Sequence, residues 1–288
     1  MTTIRQTLEQ GILTLTKAGQ VNARLDAQVL LSHTLHIERS ALYAYPERIL
    51  TPEQEQQFLT LIERRSHGEP VAYLTGHKEF YGLDFLVDKR VLIPRPETEL
   101  LVEAALKVCR QMLAVGRTPV VADIGTGSGI IPVTLAVLER CLPYLYASDI
   151  SADALEVAYL NCQRHHVEDR VRLLHGDLLA PLPEPVDILT ANLPYVGTGE
   201  TDDLPPDVRA YEPRLALFSG PDGLDLLHRF FTGLHESRKL VQGTVVLLEI
   251  GYRQREPLTR LLHEIWPQAT ISFIKDYAGW DRLLQVNL

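Results

Sequence analysis

What most constrains this chain is an alternation that sets in at Pro119. Residues 120–124, 145–149, 171–175, 186–191 and 244–250 are short apolar runs that end in Gly, Asp or Asn. Helix-length segments such as 151–165 separate them. Strands that are apolar on both faces need cover on both, so the pattern predicts a parallel sheet between two layers of helix, an α/β fold. Ligands of such sheets bind beyond the carboxyl ends of the strands. Two motifs fall there: Asp123-Ile124-Gly125-Thr126-Gly127-Ser128-Gly129 after the first run, and Asn192-Leu193-Pro194-Tyr195 after the fourth. Residues 270–275 and 281–286 lie close in sequence and are expected to pair as antiparallel strands.

The first ~70 residues follow a helical period instead. Ile4, Leu8, Ile12 and Leu15 share one face. A second helix is expected over 22–36, with Leu30, Leu31 and Leu35 inward. A third starts at Thr51, with Pro52 in the first turn and Gln54 completing a capping box. Its inward face is Phe58, Leu61 and Ile62, and Gly68 with Pro70 ends it. Residues 79–87 read as a hairpin around Gly82. The Ile93-Pro94-Arg95-Pro96-Glu97-Thr98 stretch is a stiff extended segment, because residues before proline avoid the helical region. A helix is expected from 97 to 112. The resulting division is a helical region 1–76, a hairpin linker 77–92 and an α/β domain 93–288.

Net charge is −9: −1 over residues 1–90 and −8 beyond. Neither part has the basic excess of a protein that grips phosphates, which counts against direct nucleic-acid binding. No apolar run approaches the ~20 residues of a membrane helix, and the start has no apolar signal-peptide core. Cys109, Cys141 and Cys162 are odd in number and scattered. Inert thiols in a reducing cytosol are the expectation, without disulfides and without a metal. A cytoplasmic location follows as an expectation.

Three glycines at alternate positions make a tight turn that opens a helix and can bring main-chain donors to a ligand. A dinucleotide fingerprint needs Gly-x-Gly-x-x-Gly. From Gly125 the last position is Ile130, and from Gly127 it is Pro132, so both frames fail. Gly-Lys-Ser/Thr is absent as well. S-adenosyl-L-methionine, which has no pyrophosphate to cradle, suits the loop better. Asp149 ends the next strand, where a carboxylate can accept both ribose hydroxyls. Asp177 ends the third, where it can accept the adenine amino group while Leu178 packs on the ring. Taken singly, each Asp reads equally as a helix cap or turn residue; their recurrence at successive strand ends favours the cofactor.

The Asn192-Leu193-Pro194-Tyr195 turn suits a planar nitrogen, whose conjugated lone pair attacks a methyl group poorly. The Asn oxygen and a nearby main-chain carbonyl can each accept one N–H, which orients the nitrogen and stabilises positive charge as attack proceeds. The Tyr195 ring can stack on the substrate plane. A plain turn is the alternative, since Asn and Pro both favour turns.

Longer stretches carry a resemblance. Arg24-Leu25-Asp26-Ala27, 68–76, Glu79-Phe80-Tyr81-Gly82-Leu83, Ile93-Pro94-Arg95-Pro96-Glu97-Thr98-Glu99, Tyr211-Glu212-Pro213, 220–224 and Leu248-Glu249-Ile250-Gly251-Tyr252 follow in order over nearly the whole chain. In this the chain resembles the peptide chain release factor glutamine N5-methyltransferases, the PrmC/HemK group. The resemblance implies a seven-stranded, Rossmann-like class I methyltransferase sheet behind a small helical domain that helps recognise the partner. It implies methylation of the glutamine amide in the Gly-Gly-Gln loop of release factors, with S-adenosyl-L-homocysteine as the other product. By the same resemblance Gly125, Thr126, Gly127, Ser128 and Gly129 line the methionine end. Asp149 takes the ribose, and Asp177 and Leu178 flank adenine. Asn192 and the carbonyl of Leu193 take the amide hydrogens, and Pro194 and Tyr195 shape the slot. The alternatives are another protein or an adenine as methyl acceptor, and a non-catalytic nucleotide-binding module.

Two positions depart from that pattern. Leu193 stands where the family has proline, which keeps the carbonyl but loses rigidity; activity is expected to survive at some cost. Trp280, in Asp276-Tyr277-Ala278-Gly279-Trp280-Asp281-Arg282, replaces an arginine and bears on partner choice. Arg95 and Glu97 read as site-closing residues or as an interdomain ion pair or helix-start charge. His165 and His166 are expected in solvent, and His33 and His36 on a helix surface. The acidic segment 198–214 reads as a substrate-facing lid in preference to a surface loop.

Overall fold

The computed structural model describes residues 2–288. The chain forms two compact units: Met1–His77 with Pro205–Tyr211, and Lys78–Leu204 with Glu212–Leu288.

The first unit contains α1 (Ile4–Lys17), α2 (Ala23–Leu35), α3 (Arg39–Ala44), α4 (Pro52–Ser66) and α5 (Val71–Thr75). Capping boxes start two of them, Thr3 with Gln6 at α1 and Thr51 with Gln54 at α4. Ile4, Leu8 and Leu15 pack with Leu30, Leu31, Phe58 and Ile62 in one buried cluster. Ile12 and Leu61, expected inward, are only partly buried at its edge. Gly11 lets α1 approach α4 closely, because a β-carbon there would lie 2.6 Å from Phe58 Cζ. The short α3 and α5 were not anticipated; five or six residues carry too few turns to show a period.

The hairpin forms from β1 (His77–Phe80) and β2 (Leu83–Leu86). Tyr81 and Gly82 both take positive φ, 53° and 74°, as a two-residue turn matched to the strand twist requires. A 3₁₀ turn over Pro96–Thr98 then leads into α6 (Glu99–Ala114), so the α-helix starts two residues later than its expected start at 97. There follow β3 (Val121–Ile124), α7 (Ile130–Leu138), β4 (Leu145–Asp149), α8 (Ala152–Arg164), β5 (Val171–His175) and β6 (Val186–Ala191). After them come α9 (Pro206–Tyr211), α10 (Asp225–Glu236), β7 (Leu240–Glu249), α11 (Arg255–Ile265), β8 (Thr270–Lys275) and β9 (Asp281–Asn287).

The sheet has seven strands in the order β5-β4-β3-β6-β7-β9-β8. The first five are parallel, and β9 runs antiparallel to both its neighbours. Successive residues alternate between two cores. Val121, Val245 and Leu247 join the cluster with α6 and α7, whereas Ala122, Val246 and Leu248 join the one with Phe230, Phe231 and Leu262 of α10 and α11. That is the two-sided cover foreseen from the apolar runs. Strand order reverses at β3, whose neighbours are β4 and β6, and the carboxyl ends there form the switch point of the sheet.

Cys109 and Cys162 are buried, and desolvation pushes both thiols up to about 12, which makes them inert. Cys141 is exposed. His165 is half-buried against Phe85, with ring centroids 4.9 Å apart and Nε2 2.9 Å from the Asp84 carbonyl, contrary to its expected solvent position. His166 is exposed. No helix is long and apolar enough to cross a membrane among the described residues. They also hold no cluster of His, Cys, Asp or Glu suited to a metal ion.

Candidate active site at the switch point

A cleft of about 220 Å³ opens at the carboxyl ends of β3, β4, β5 and β6. Gly125, Thr126, Gly127, Ser128, Asp149, Asp177, Leu178, Asn192, Leu193 and Pro194 all line it. Fold topology thus brings together residues from four separate strand ends.

Gly125, Gly127 and Gly129 have φ of 72°, 55° and 79°, in the region that disfavours other residues. Their main-chain donors are mostly engaged inside the protein, unlike the expectation that they face a ligand. Gly125 and Thr126 N–H donate to the Ser148 carbonyl at 2.8 and 2.9 Å, and Gly129 N–H donates to Thr126 O at 2.9 Å. Gly127 N–H donates to Asp149 Oδ2 at 2.8 Å. The glycines serve the sharp turn and close approach. Nothing lies within 4 Å of a β-carbon built on Gly127, so the cradle above it is open. Thr126 Oγ1 is buried and turned toward the Asp123 carboxyl, whose ionised form it favours.

Asp149 Oδ1 also accepts from Ser151 N–H at 2.9 Å. The carboxylate therefore braces the loop and the start of α8, the turn role, while each oxygen keeps a further lone pair for a hydroxyl. Asp177 accepts from Arg229 of α10 at 2.5 Å, and Leu178 follows with φ 48°, a conformation rare for leucine. Ser148 Oγ donates to the Leu178 carbonyl at 3.2 Å. Asp123 is buried, with Oδ1 accepting from Thr190 at 2.7 Å, and burial raises its carboxyl to about 7.

Asn192 follows the last residue of β6. Because Ala191 pairs with Leu248, Asn192 comes level with Glu249 at the end of β7. Asn192 Nδ2 donates to Thr98 Oγ1 at 3.2 Å, and Thr98 Oγ1 donates to Glu249 Oε2 at 2.6 Å. Tyr195 OH donates to the other oxygen, Oε1, at 3.2 Å. Tyr195 is not part of the cleft wall, and burial raises its phenol above the ordinary range. The same burial raises Glu249, opposed by the bonds from Thr98 and Tyr195. Gln254 Nε2 donates to the Tyr195 carbonyl at 3.1 Å and to that of Gly223 at 3.0 Å.

Several residues at the site had no role assigned from sequence. Glu212 accepts from Ile93 N–H at 3.1 Å and pairs with Arg95, which lines the cleft. That ion pair lies within one unit instead of between domains. Asn161 of α8 donates to the Ser128 carbonyl at 2.8 Å and accepts from Leu86 N–H at 2.7 Å, tying the loop to the hairpin. Thr98, Glu212 and Glu249 all stand inside the stretches that carried the family resemblance, which was the available signal; Asn161 had none. Of the expected lid, Pro205–Tyr211 belongs to the helical unit, where Tyr211 OH donates to the His67 carbonyl at 3.2 Å. Pro213, Leu215 and Ala216 line the cleft.

Residues 6–76 match the family model described as the PrmC N-terminal domain, and residues 98–204 match the Methyltransferase small domain. The release factor glutamine methyltransferase of Moorella thermoacetica is 42% identical over 97% of this chain and 96% of its own. That of Koribacter versatilis is 39% identical over 98% and 97%, and that of Rhodopirellula baltica 38% over 94% and 91%. Among solved structures, the catalytic domain of hMettl16 in complex with an RNA hairpin superposes with a TM-score of 0.56 at 17% identity, covering 82% of each chain. The N-terminal domain of human METTL16 in complex with SAH gives 0.50 at 16% identity, over 85% of this chain and 86% of that one. Those two likenesses concern the fold alone. By its full-length similarity to these curated relatives, the chain belongs to the release factor glutamine methyltransferase family.

Proposed function

We propose that the protein methylates the side-chain amide nitrogen of the glutamine in the Gly-Gly-Gln loop of peptide chain release factors, in the cytoplasm. The observation that carries this reading is the meeting of residues 125–128 of the glycine loop and the 192–194 turn in one cleft at the switch point. Its support from kinship is full-length similarity to enzymes named for that reaction. Residues 1–76 act as the partner-recognition domain, 77–92 as a hairpin linker and 93–288 as the catalytic domain, except that Pro205–Tyr211 folds with the helical unit.

The cleft suits S-adenosyl-L-methionine on two counts: the open cradle over Gly127 and the lone pairs that Asp149 keeps free beside it. When bound it supplies an electrophilic methyl group, leaving S-adenosyl-L-homocysteine. Asp149 accepts the ribose hydroxyls, and Asp177 with Leu178 flanks adenine. Gly125, Thr126, Gly127, Ser128 and Gly129 border the methionine portion. Asn192 Oδ1 and the Leu193 carbonyl each accept one hydrogen of the glutamine amide. That leaves its nitrogen facing the methyl and favours the positive charge that grows there. The proton leaves after transfer, so no base must act first. Pro194 forms a wall of the slot, and Tyr195 stands behind it, tied to Glu249.

The test is incubation with radiolabelled S-adenosyl-L-methionine and a release factor, beside a copy whose loop glutamine is alanine. Label on the first alone is expected. Label on both would point to another acceptor residue, and label on neither would overturn the reading.

A further inference from the structure

We infer that Glu249, acting through the Thr98 hydroxyl, is a positioning residue that fixes which end of the Asn192 amide faces the cleft. The inference rests on the reading above, in which Asn192 Oδ1 receives an amide hydrogen.

A threonine hydroxyl has one proton, and Glu249 in its ionised form, which the bonds from Thr98 and Tyr195 favour, has none to give. The 2.6 Å contact therefore commits the Thr98 proton to Glu249 Oε2. Toward Asn192 the hydroxyl then offers only lone pairs, so Asn192 must present its NH₂ group there, as the 3.2 Å contact records. The opposite end, Oδ1, is left for the substrate. Tyr195 OH enforces the same polarity from the far side, since it donates to Oε1. Without this chain the two ends of a carboxamide, alike in shape, would be free to exchange.

Two further observations argue against a merely structural role. Thr98 closes the Pro96–Thr98 turn with helical dihedrals, φ −65° and ψ −17°, so its hydroxyl is not needed as a cap for α6. Its hydroxyl is directed at Glu249 instead. Glu249 is itself a buried carboxylate at the end of a central strand, where it bears a desolvation cost that an apolar residue would not. Burial opposes its ionised form most and Glu97 beside Thr98 adds to that, while the bonds from Thr98 and Tyr195 and the charge of Arg282 on β9 favour it.

Thr98→Val keeps the shape and removes the hydroxyl, and Thr98→Ser keeps the hydroxyl. With Thr98→Val, kcat for methyl transfer is expected to fall by about 10–100-fold. The affinity for S-adenosyl-L-homocysteine, measured by calorimetry, should stay within about twofold, and Thr98→Ser should recover most of kcat. Glu249→Gln offers a donor as well as an acceptor and so loosens the polarity; kcat should fall by about tenfold with that affinity kept. Independently of turnover, the Asn192 side-chain ¹⁵N–¹H pair, assigned by its loss in Asn192→Ala, should shift in Thr98→Val and not in Thr98→Ser. An unchanged Asn192 resonance, or wild-type kcat in folded Thr98→Val or Glu249→Gln, would overturn the inference. Absence of transfer by the wild-type protein would instead count against the proposed function, and the resonance would still decide the positioning.

Discussion

A methyl carbon of Leu193, Cδ2, lies 2.9 Å from where a β-carbon on Gly125 would stand. The 125–129 loop and the 192–195 turn are thus packed directly against each other. Leu193 is 3% exposed and belongs to the core cluster on the α10 face. Burial of the Leu193 side chain fixes the turn from behind.

Gly125→Ala should therefore disturb both halves of the site, because the backbone there has φ 72° and the added carbon collides with Leu193. Affinity for S-adenosyl-L-homocysteine should fall by about tenfold or more. Leu193→Ala alone should cost about 2–5 kcal/mol in urea unfolding. Combined, the two should couple, the double variant binding better than Gly125→Ala; simple additivity would refute the contact as the cause.

Asn192→Ala removes the acceptor proposed to orient the glutamine amide. Transfer should drop by about 10²–10³-fold in kcat while S-adenosyl-L-homocysteine binding changes little. Steady-state assays and calorimetry on the same preparation check this, and undiminished turnover would sink the mechanism.

Asp149→Asn leaves one oxygen where two main-chain donors, Gly127 N–H and Ser151 N–H, each now have their own. One donor then faces an NH₂ group, and the ribose loses a charged acceptor. Affinity for S-adenosyl-L-homocysteine should fall by about 10–100-fold. Binding as tight as wild type would show that Asp149 only braces the turn.

Asp123 gives a prediction in pH. Burial raises its folded carboxyl to about 7, whereas the unfolded group titrates near the ordinary 3.8. Between those values the folded chain holds a proton that the unfolded chain has released. Stability from this group is therefore present at the acid end and declines as pH rises through the window, by up to about 1.4 kcal/mol per pH unit. Asp123→Asn should flatten that slope in urea titrations run from pH 4 to 7. A slope unchanged by the substitution would assign it to other groups.

The strands of the parallel sheet were legible because each apolar run stops at a polar or glycine residue where the chain leaves the sheet. β4, β5 and β6 have the bounds read from sequence. β7 begins at Leu240, four residues before the apolar run, since Gly243 with φ 84° interrupts the pattern. Residues 125–129, Asp149 and Asn192 were legible as positions because strand ends are where such sheets bind. Their partners were not. Thr98 and Glu249 are 151 residues apart in sequence, and only the β6–β7 register and the placement of α6 bring them together. Tyr195 was expected as a stacking platform, yet its hydroxyl is drawn to Glu249, a partner that local sequence does not reveal.

Because Pro205–Tyr211 folds with the N-terminal helices, the polypeptide passes between the two units three times: near residue 77, before Pro205 and after Tyr211. The helical unit is therefore not a contiguous cassette. A gene fragment ending at residue 77 would lack one of its own helices, and a deletion of the first 77 residues would strand that helix in the middle of the second unit. Recombination could exchange the helical unit only as two segments at once, which binds its inheritance to that of the sheet.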